Sequence, residues 1–185
     1  MVPARHAIVA PGLDADGRAL VECLAIGAHA VARARVEAGE WALVIGAGPI
    51  GLGVAQFARE AGAQVIALDV DSRRLRLGRE HMGVAEEVIA GEGAIARVAE
   101  LTGGDMPTVV FDATGSAASM NAALLCVAHG GRLVLVGLTR QELHWPHPEP
   151  HKREITVLCS RNAHRRDFER VIATEWQDAR DRGFD

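Results

Sequence analysis

The run Gly46-Ala47-Gly48-Pro49-Ile50-Gly51 constrains this chain more than any other feature of its sequence. It lies between an apolar run, Trp41–Ile45, and a stretch with helical periodicity from Pro49 to about Ala61, stopped by Gly62. G-x-G-x-x-G in that setting reads as a strand, a tight turn and a helix. The first glycine makes the turn, the second leaves the backbone open to close approach, and the third lets helix and strand pack together. Pro49 suits the first helical turn, where an N–H has no partner to lose. The free N–H groups and the helix dipole at such a start favour a bound anion.

Glycine-rich turns match this pattern without any ligand, so the context has to carry the reading. A second apolar run, Gln64–Leu68, ends in Asp69, roughly 20 residues on, where a carboxylate receives the hydroxyls of an adenosine ribose. The plain alternative makes Gly46–Gly51 a turn and Asp69 a helix N-cap. A carboxylate there repels a 2′-phosphate and points to NAD over NADP. Arg73 and Arg74 pull the other way, because a guanidinium accepts phosphate. A sulfonium-dependent methyltransferase shares the strand-turn-helix but usually carries an acid just before its glycines; Val44 and Ile45 stand there instead.

Outside the loop, apolar runs alternate with amphipathic stretches. Strands are expected at Trp41–Ile45, Gln64–Leu68, Glu87–Ala90, Thr108–Phe111, Arg132–Val136 and Ile155–Leu158. Helices are expected from Asp16 or Gly17 through Leu20, Leu24, Ala28 and Val31, then at Pro49–Ala61, Asp71–Glu80, Gly93–Leu101, Ser116–Ala128 and Asp167–Ala173. Strands that are apolar throughout belong to a parallel sheet covered on both faces. The expected fold is therefore α/β: a Rossmann, doubly wound, six-stranded parallel sheet in a three-layer sandwich. Residues 1–39 read as an arm and linking helix, 40–174 as the Rossmann domain, and 175–185 as an irregular tail.

Composition narrows the function. A formal net charge of −4 over 185 residues provides no basic field for nucleic acid or an anionic membrane. Trp41 to Ala58 carries no charge, but its glycines suit a turn better than a membrane span. Cys23, Cys126 and Cys159 form no C-x-x-C, so neither a structural zinc nor a disulfide framework is legible. Free thiols fit a reducing cytoplasm. His144, His147 and His151 tempt a metal reading, yet Pro146, Pro148 and Pro150 stiffen the segment without setting the histidines on one regular face. A surface loop is expected there, with no metal assigned. Asp112 reads as a brace for the turn into a helix capped by Ser116.

Trp41 through Asp69, Phe111-Asp112-Ala113-Thr114-Gly115 and Gly130 through Gly137 resemble the medium-chain dehydrogenase/reductase superfamily. Val21 through Gly27 and Lys152 through Asn162 resemble its zinc-type polyol and sugar-acid branch. The resemblance spans roughly residues 2 to 172. It implies that Gly46, Gly48, Pro49, Ile50, Gly51 and Asp69 bind a dinucleotide, with Arg74 on the adenine side. It also implies that Thr114, Val136, Gly137 and Leu138 line the cofactor trough, with Ser160 and Arg161 near the nicotinamide. Glu22 matches an acid that lies beside the catalytic zinc in that branch.

The family's GroES-like zinc domain and four-cysteine lobe have no counterpart among these residues. Zinc is accordingly expected only in a full-length parent, where NAD would take a hydride from a secondary alcohol. This chain alone is expected to bind NAD and catalyse little. A free-standing NAD(H) module is the alternative, and an NADPH quinone reductase relative is disfavoured by Asp69. The family also implies a homodimer through the edge strand 155–158, and no nucleic-acid or membrane partner is expected.

Overall fold

A computed structural model describes residues 7–181, with side chains described through residue 174. Its centre is a parallel sheet of β1 (Trp41–Ile45), β2 (Gln64–Asp69), β3 (Glu86–Ile89), β4 (Val109–Asp112), β5 (Arg132–Leu135) and β6 (Thr156–Cys159), in the order β3-β2-β1-β4-β5-β6. The order reverses between β1 and β4, the switch point at which open α/β sheets bind ligands.

Strand side chains alternate between two cores, as the period of two requires. Ala42, Val44, Val65, Ala67, Val109, Phe111 and Val134 face one core, which α1 (Ala15–Ala34) and α2 (Pro49–Glu60) complete. Leu43, Ile45, Ile66, Leu68, Val110 and Leu133 face the other, against α4 (Ala94–Leu101) and the end of α5 (Ala117–Ala123). Both faces are apolar because both are covered, and the expected three-layer fold is the one observed.

Glycine sets the approach of α1 to α2. A Cβ on Gly27 would stand 2.5 Å from the carbonyl carbon of Gly53, so the helix backbones touch. α1 begins at an N-cap, Asp14, whose carboxylate accepts from the Gly17 N–H at 2.7 Å. Its buried stripe is Val21, Leu24, Ala25, Ala28 and Val31; Leu20, expected on that stripe, is half exposed.

Several boundaries differ from the sequence reading. The expected helix from Ser116 ends at Ala123, and a 3-10 turn, Leu124–Cys126, follows before Val127 turns to extended backbone. The edge strand begins one residue later than expected. Glu154 is left-handed, and the Ile155 N–H donates to the Pro150 carbonyl instead of to a ladder. The loop before it contains a short helix, α6 (Pro148–Lys152), which continues the helical backbone of His147. It stacks His147 and His151 one turn apart, ring centres 5.2 Å from each other, against the expectation that no regular face joins them.

The last helix, α7 (Arg165–Asp181), runs well into the segment expected to be irregular. No proline or glycine interrupts that stretch of sequence. α7 is tied to α1 by a buried pair: His29 Nδ1 and the Asp167 carboxylate meet at 2.9 Å, and His164 lies edge-on to His29 at 4.8 Å. α3 (Ser72–His81) covers β2 and completes the helices.

One ionic cluster joins the sheet to α1. Arg132, at the start of β5, donates to both Glu40 carboxylate oxygens, at 2.8 and 2.6 Å. It also donates to the Ala34 and Arg35 carbonyls at the end of α1, where a cation suits the helix dipole. The Thr108 hydroxyl donates to the same carboxylate at 2.7 Å, and the Glu37 N–H at 2.8 Å. Burial by itself raises the Glu40 carboxyl, but hydrogen bonds from Arg132, Thr108 and the Glu37 N–H outweigh it, and the carboxyl sits at about 2. A carboxyl depressed from 4.5 adds stability that is present above about pH 4.5 and lost as pH falls toward 2. Glu40→Gln is therefore expected to cost about 2–3 kcal/mol at pH 7. That difference from wild type should shrink as denaturant melts are repeated from pH 5 down to 3. A difference that stays constant with pH would show that the carboxylate charge is not what matters.

Candidate functional site

The turn after β1 is as tight as backbone allows. Gly46 has φ of 94° and donates its N–H to the Leu68 carbonyl at 2.8 Å. A Cβ on Gly51 would lie 1.7 Å from the Gly46 carbonyl oxygen, so no side chain fits where α2 leaves the strand. Gly48, the N-cap of α2, meets the opposite condition: nothing lies within 4 Å of where its Cβ would be. Pro49 opens the helix, and Ile50 and Gly51 follow in a first turn whose N–H groups have no carbonyl partner within the helix. The open backbone at Gly48 is the cradle that a pyrophosphate needs.

Asp69 ends β2 beside this loop and is nearly buried. Its Oδ2 accepts the Ala47 N–H at 2.6 Å and its Oδ1 the Asp71 N–H at 2.8 Å. The carboxylate thus fastens the glycine loop to the end of β2. A carboxylate has about four acceptor positions, so two backbone donors leave capacity for ribose hydroxyls. Arg74 lies exposed in the first turn of α3.

The other wall follows from β4 and β5. The Ala113 N–H donates to the Ile45 carbonyl at 2.9 Å, and Thr114 stands against Gly46, where a Cβ would meet its methyl at 3.0 Å. Asp112, fully buried, accepts from the Thr114 N–H and hydroxyl at 3.0 and 2.7 Å and from the Ser119 hydroxyl at 2.6 Å. It is the brace expected, with Ser116 capping α5. The Asp112 carbonyl accepts from the Val136 and Gly137 N–H groups. A Cβ on Gly137 would lie 2.4 Å from the Gly115 nitrogen, so the two loops touch, and Leu138 beyond them is 89% exposed. The Ser160 N–H donates to the Leu135 carbonyl, its hydroxyl is buried with no hydrogen-bond partner, and Arg161 follows, exposed.

Gly46, Gly48, Pro49, Ile50, Gly51, Asp69, Thr114, Val136, Gly137 and Leu138 therefore gather at the strand ends around the switch point. Glu22 does not join them. It is exposed beside Cys23, whose thiol donates to it at 3.7 Å, and lines a cleft of about 950 Å³ between residues 8–11, α1 and α7. Burial, then the Glu22 charge, pushes the Cys23 thiol up. Sequence reasoning missed the Asp69–Ala47 bond and the Gly115–Gly137 contact, which join residues distant in the chain.

The sequence model of the zinc-binding dehydrogenase family matches residues 49–176. The chain belongs to that family. The chain is 42% identical over 174 residues to L-galactonate-5-dehydrogenase of Escherichia coli, covering 92% of this chain and 50% of that protein. A zinc-binding dehydrogenase from Sinorhizobium meliloti solved with NADP superposes with a TM-score of 0.84 at 28% identity, over 94% of this chain and 53% of that one. An Escherichia coli alcohol dehydrogenase solved with NADH superposes with a TM-score of 0.82 at 25% identity, over 99% and 53%. The chain spans about half the length of the curated relatives it matches. A zinc site takes three or four protein donors, and among the described residues no three His, Cys, Asp or Glu side chains group to hold a metal. These residues alone do not fit the zinc of the family name.

The glycine geometry separates two substitutions. Gly51→Ala collides with backbone and is expected to lower the melting temperature by several degrees. Gly48→Ala has room, so it should fold normally while weakening dinucleotide binding, at least tenfold by calorimetry. Equal loss of stability in both variants would contradict this division.

Proposed function

We propose that this chain binds NAD(H) at the strand ends and serves as the cofactor half of an alcohol dehydrogenase acting on a polyol or sugar acid. One observation carries the reading. The open backbone at Gly48 lies beside a carboxylate, Asp69, that is already fixed by the loop it serves. Pyrophosphate would lie over Gly48, Ile50 and Gly51, and the adenosine ribose at Asp69, with Arg74 toward the adenine. Thr114, Val136, Gly137 and Leu138 would line the path to the nicotinamide, with Ser160 and Arg161 at its far end. The bound nicotinamide supplies a hydride acceptor; the residues of this chain hold and orient it. Asp69 favours NAD, since a second negative group beside it is repelled.

The substrate class is drawn from relatives such as the galactonate enzyme. Glu22 would act beside zinc only where further donors are brought to its cleft. The three free cysteines suit the cytoplasm, and among the described residues no helix is long and apolar enough to cross a membrane.

A homodimer through β6 is part of the same reading. Its Thr156, Val157 and Cys159 are exposed on an outermost strand, the kind of edge that pairs unless protected. Light scattering at tens of micromolar should give twice the chain mass, and Val157→Pro should return it to one; a wild-type monomer would refute the pairing.

The cofactor assignment is tested by titrating the chain with NADH and NADPH, in wild type and Asp69→Asn. The expected result is tighter NADH binding in the wild type, with the preference lost or inverted in the variant. Folded protein that binds neither nucleotide would refute it.

A further inference from the structure

A second acid stands beside the ribose carboxylate. Asp71 donates its N–H to Asp69 Oδ1 at 2.8 Å, so its backbone is one hydrogen bond from the proposed ribose site. Its own carboxylate grips Arg73 at three points. Oδ1 accepts from the Arg73 N–H at 2.9 Å and from Nε at 3.2 Å, and Oδ2 accepts from Nη2 at 3.1 Å. The backbone contact caps α3, and an uncharged oxygen does that equally well. The two guanidinium contacts are open to water on the arginine side, the Arg73 side chain being 82% exposed and that of Asp71 25%. Pairs that exposed contribute little to stability. Beyond a modest favourable interaction with the α3 dipole, the charge of Asp71 is therefore available for a role outside the fold.

What it does is occupy an arginine. A guanidinium beside a ribose is the group that accepts a 2′-phosphate. Hydrogen bonds from Arg73, helped by the charges of Arg73 and Arg74, hold the Asp71 carboxyl at about 2, so it remains ionised at any pH near neutrality. We propose that Asp71 is a specificity-determining residue: by clamping Arg73 it withholds a guanidinium from a 2′-phosphate and so reinforces the choice of NAD(H) made by Asp69. This rests on the dinucleotide reading of the glycine loop. It explains how the chain carries two arginines after β2 without becoming an NADP site. Asp69 repels the phosphate, and Asp71 neutralises one of the two cations that would attract it.

The test is calorimetric titration of the whole chain with NADH and NADPH, in wild type, Asp71→Asn, Arg73→Ala and the double variant. Asparagine keeps the cap but loses the charge and one of the two clamping oxygens, so folding is preserved. Asp71→Asn is expected to tighten NADPH binding by roughly threefold to tenfold while NADH binding moves less than about twofold. The gain should vanish in the double variant and at about 0.5 M salt, where exposed charges are screened. A merely structural role would shift both nucleotides together. That result, or a gain that survives removal of Arg73, overturns the proposal. Failure of folded wild type and variants to bind either nucleotide would instead overturn the dinucleotide reading beneath it.

Discussion

The contact between Gly51 and the Gly46 carbonyl fixes how α2 leaves β1, and the arrangement at the strand ends depends on it. With no side chain at Gly51, the helix begins directly over the end of its strand, and the free N–H groups of its first turn sit at the switch point of the sheet. A Cβ there would push the helix outward and open the turn. Gly27 and Gly53 then let α1 lie against α2, and Gly115 and Gly137 let the opposite loops meet. Glycine is used at these places for closeness, whereas at Gly48 it is used for openness.

On the proposed reading, Asp69 turns this geometry into a site. A carboxylate held by two backbone N–H groups loses little further freedom when a ligand arrives, and its position is set by the loop that would carry the pyrophosphate. Anion and hydroxyl recognition would thus be joined through one bond, from the Ala47 N–H. On the proposed reading, the acid that would receive a ribose diol would also repel a phosphate, and Asp71 would extend that preference by engaging Arg73. At the far side of the sheet the Glu40–Arg132 cluster plays a different part, holding the start of β1 and β5 to the end of α1.

Much of this was legible in the sequence because it is local. Most of the strands are short apolar runs, β3 with its Glu86 and Glu87 being the exception, and the loop and Asp69 sit at a spacing fixed by one strand-turn-helix-strand unit. Asp112 and Ser116 were readable as a brace and a cap because the turn they serve is adjacent. What escaped were contacts between residues far apart in the chain. The His29–Asp167 pair spans most of the protein, and Arg132 reaches Glu40 from another strand. The slip at Ile155, the left-handed Glu154 and the helix at Pro148–Lys152 depend on hydrogen bonds that no periodicity reports. Pro148 opens a helical turn there, where the sequence reading gives the prolines only a stiffening part. α7 continues past Ala173 with no proline or glycine to stop it, although no apolar pattern marks the extension.

On the proposed reading the glycine loop, and not the cleft beside Glu22, receives the dinucleotide. Amide chemical shifts of the labelled chain, followed by NMR through addition of NADH, test that directly. The largest changes are expected at Ala47, Gly48, Ile50 and Gly51, with a second group at Thr114, Gly115, Gly137 and Leu138. Changes centred on Arg18, Glu22 and Phe168, with the glycine loop unmoved, would contradict it.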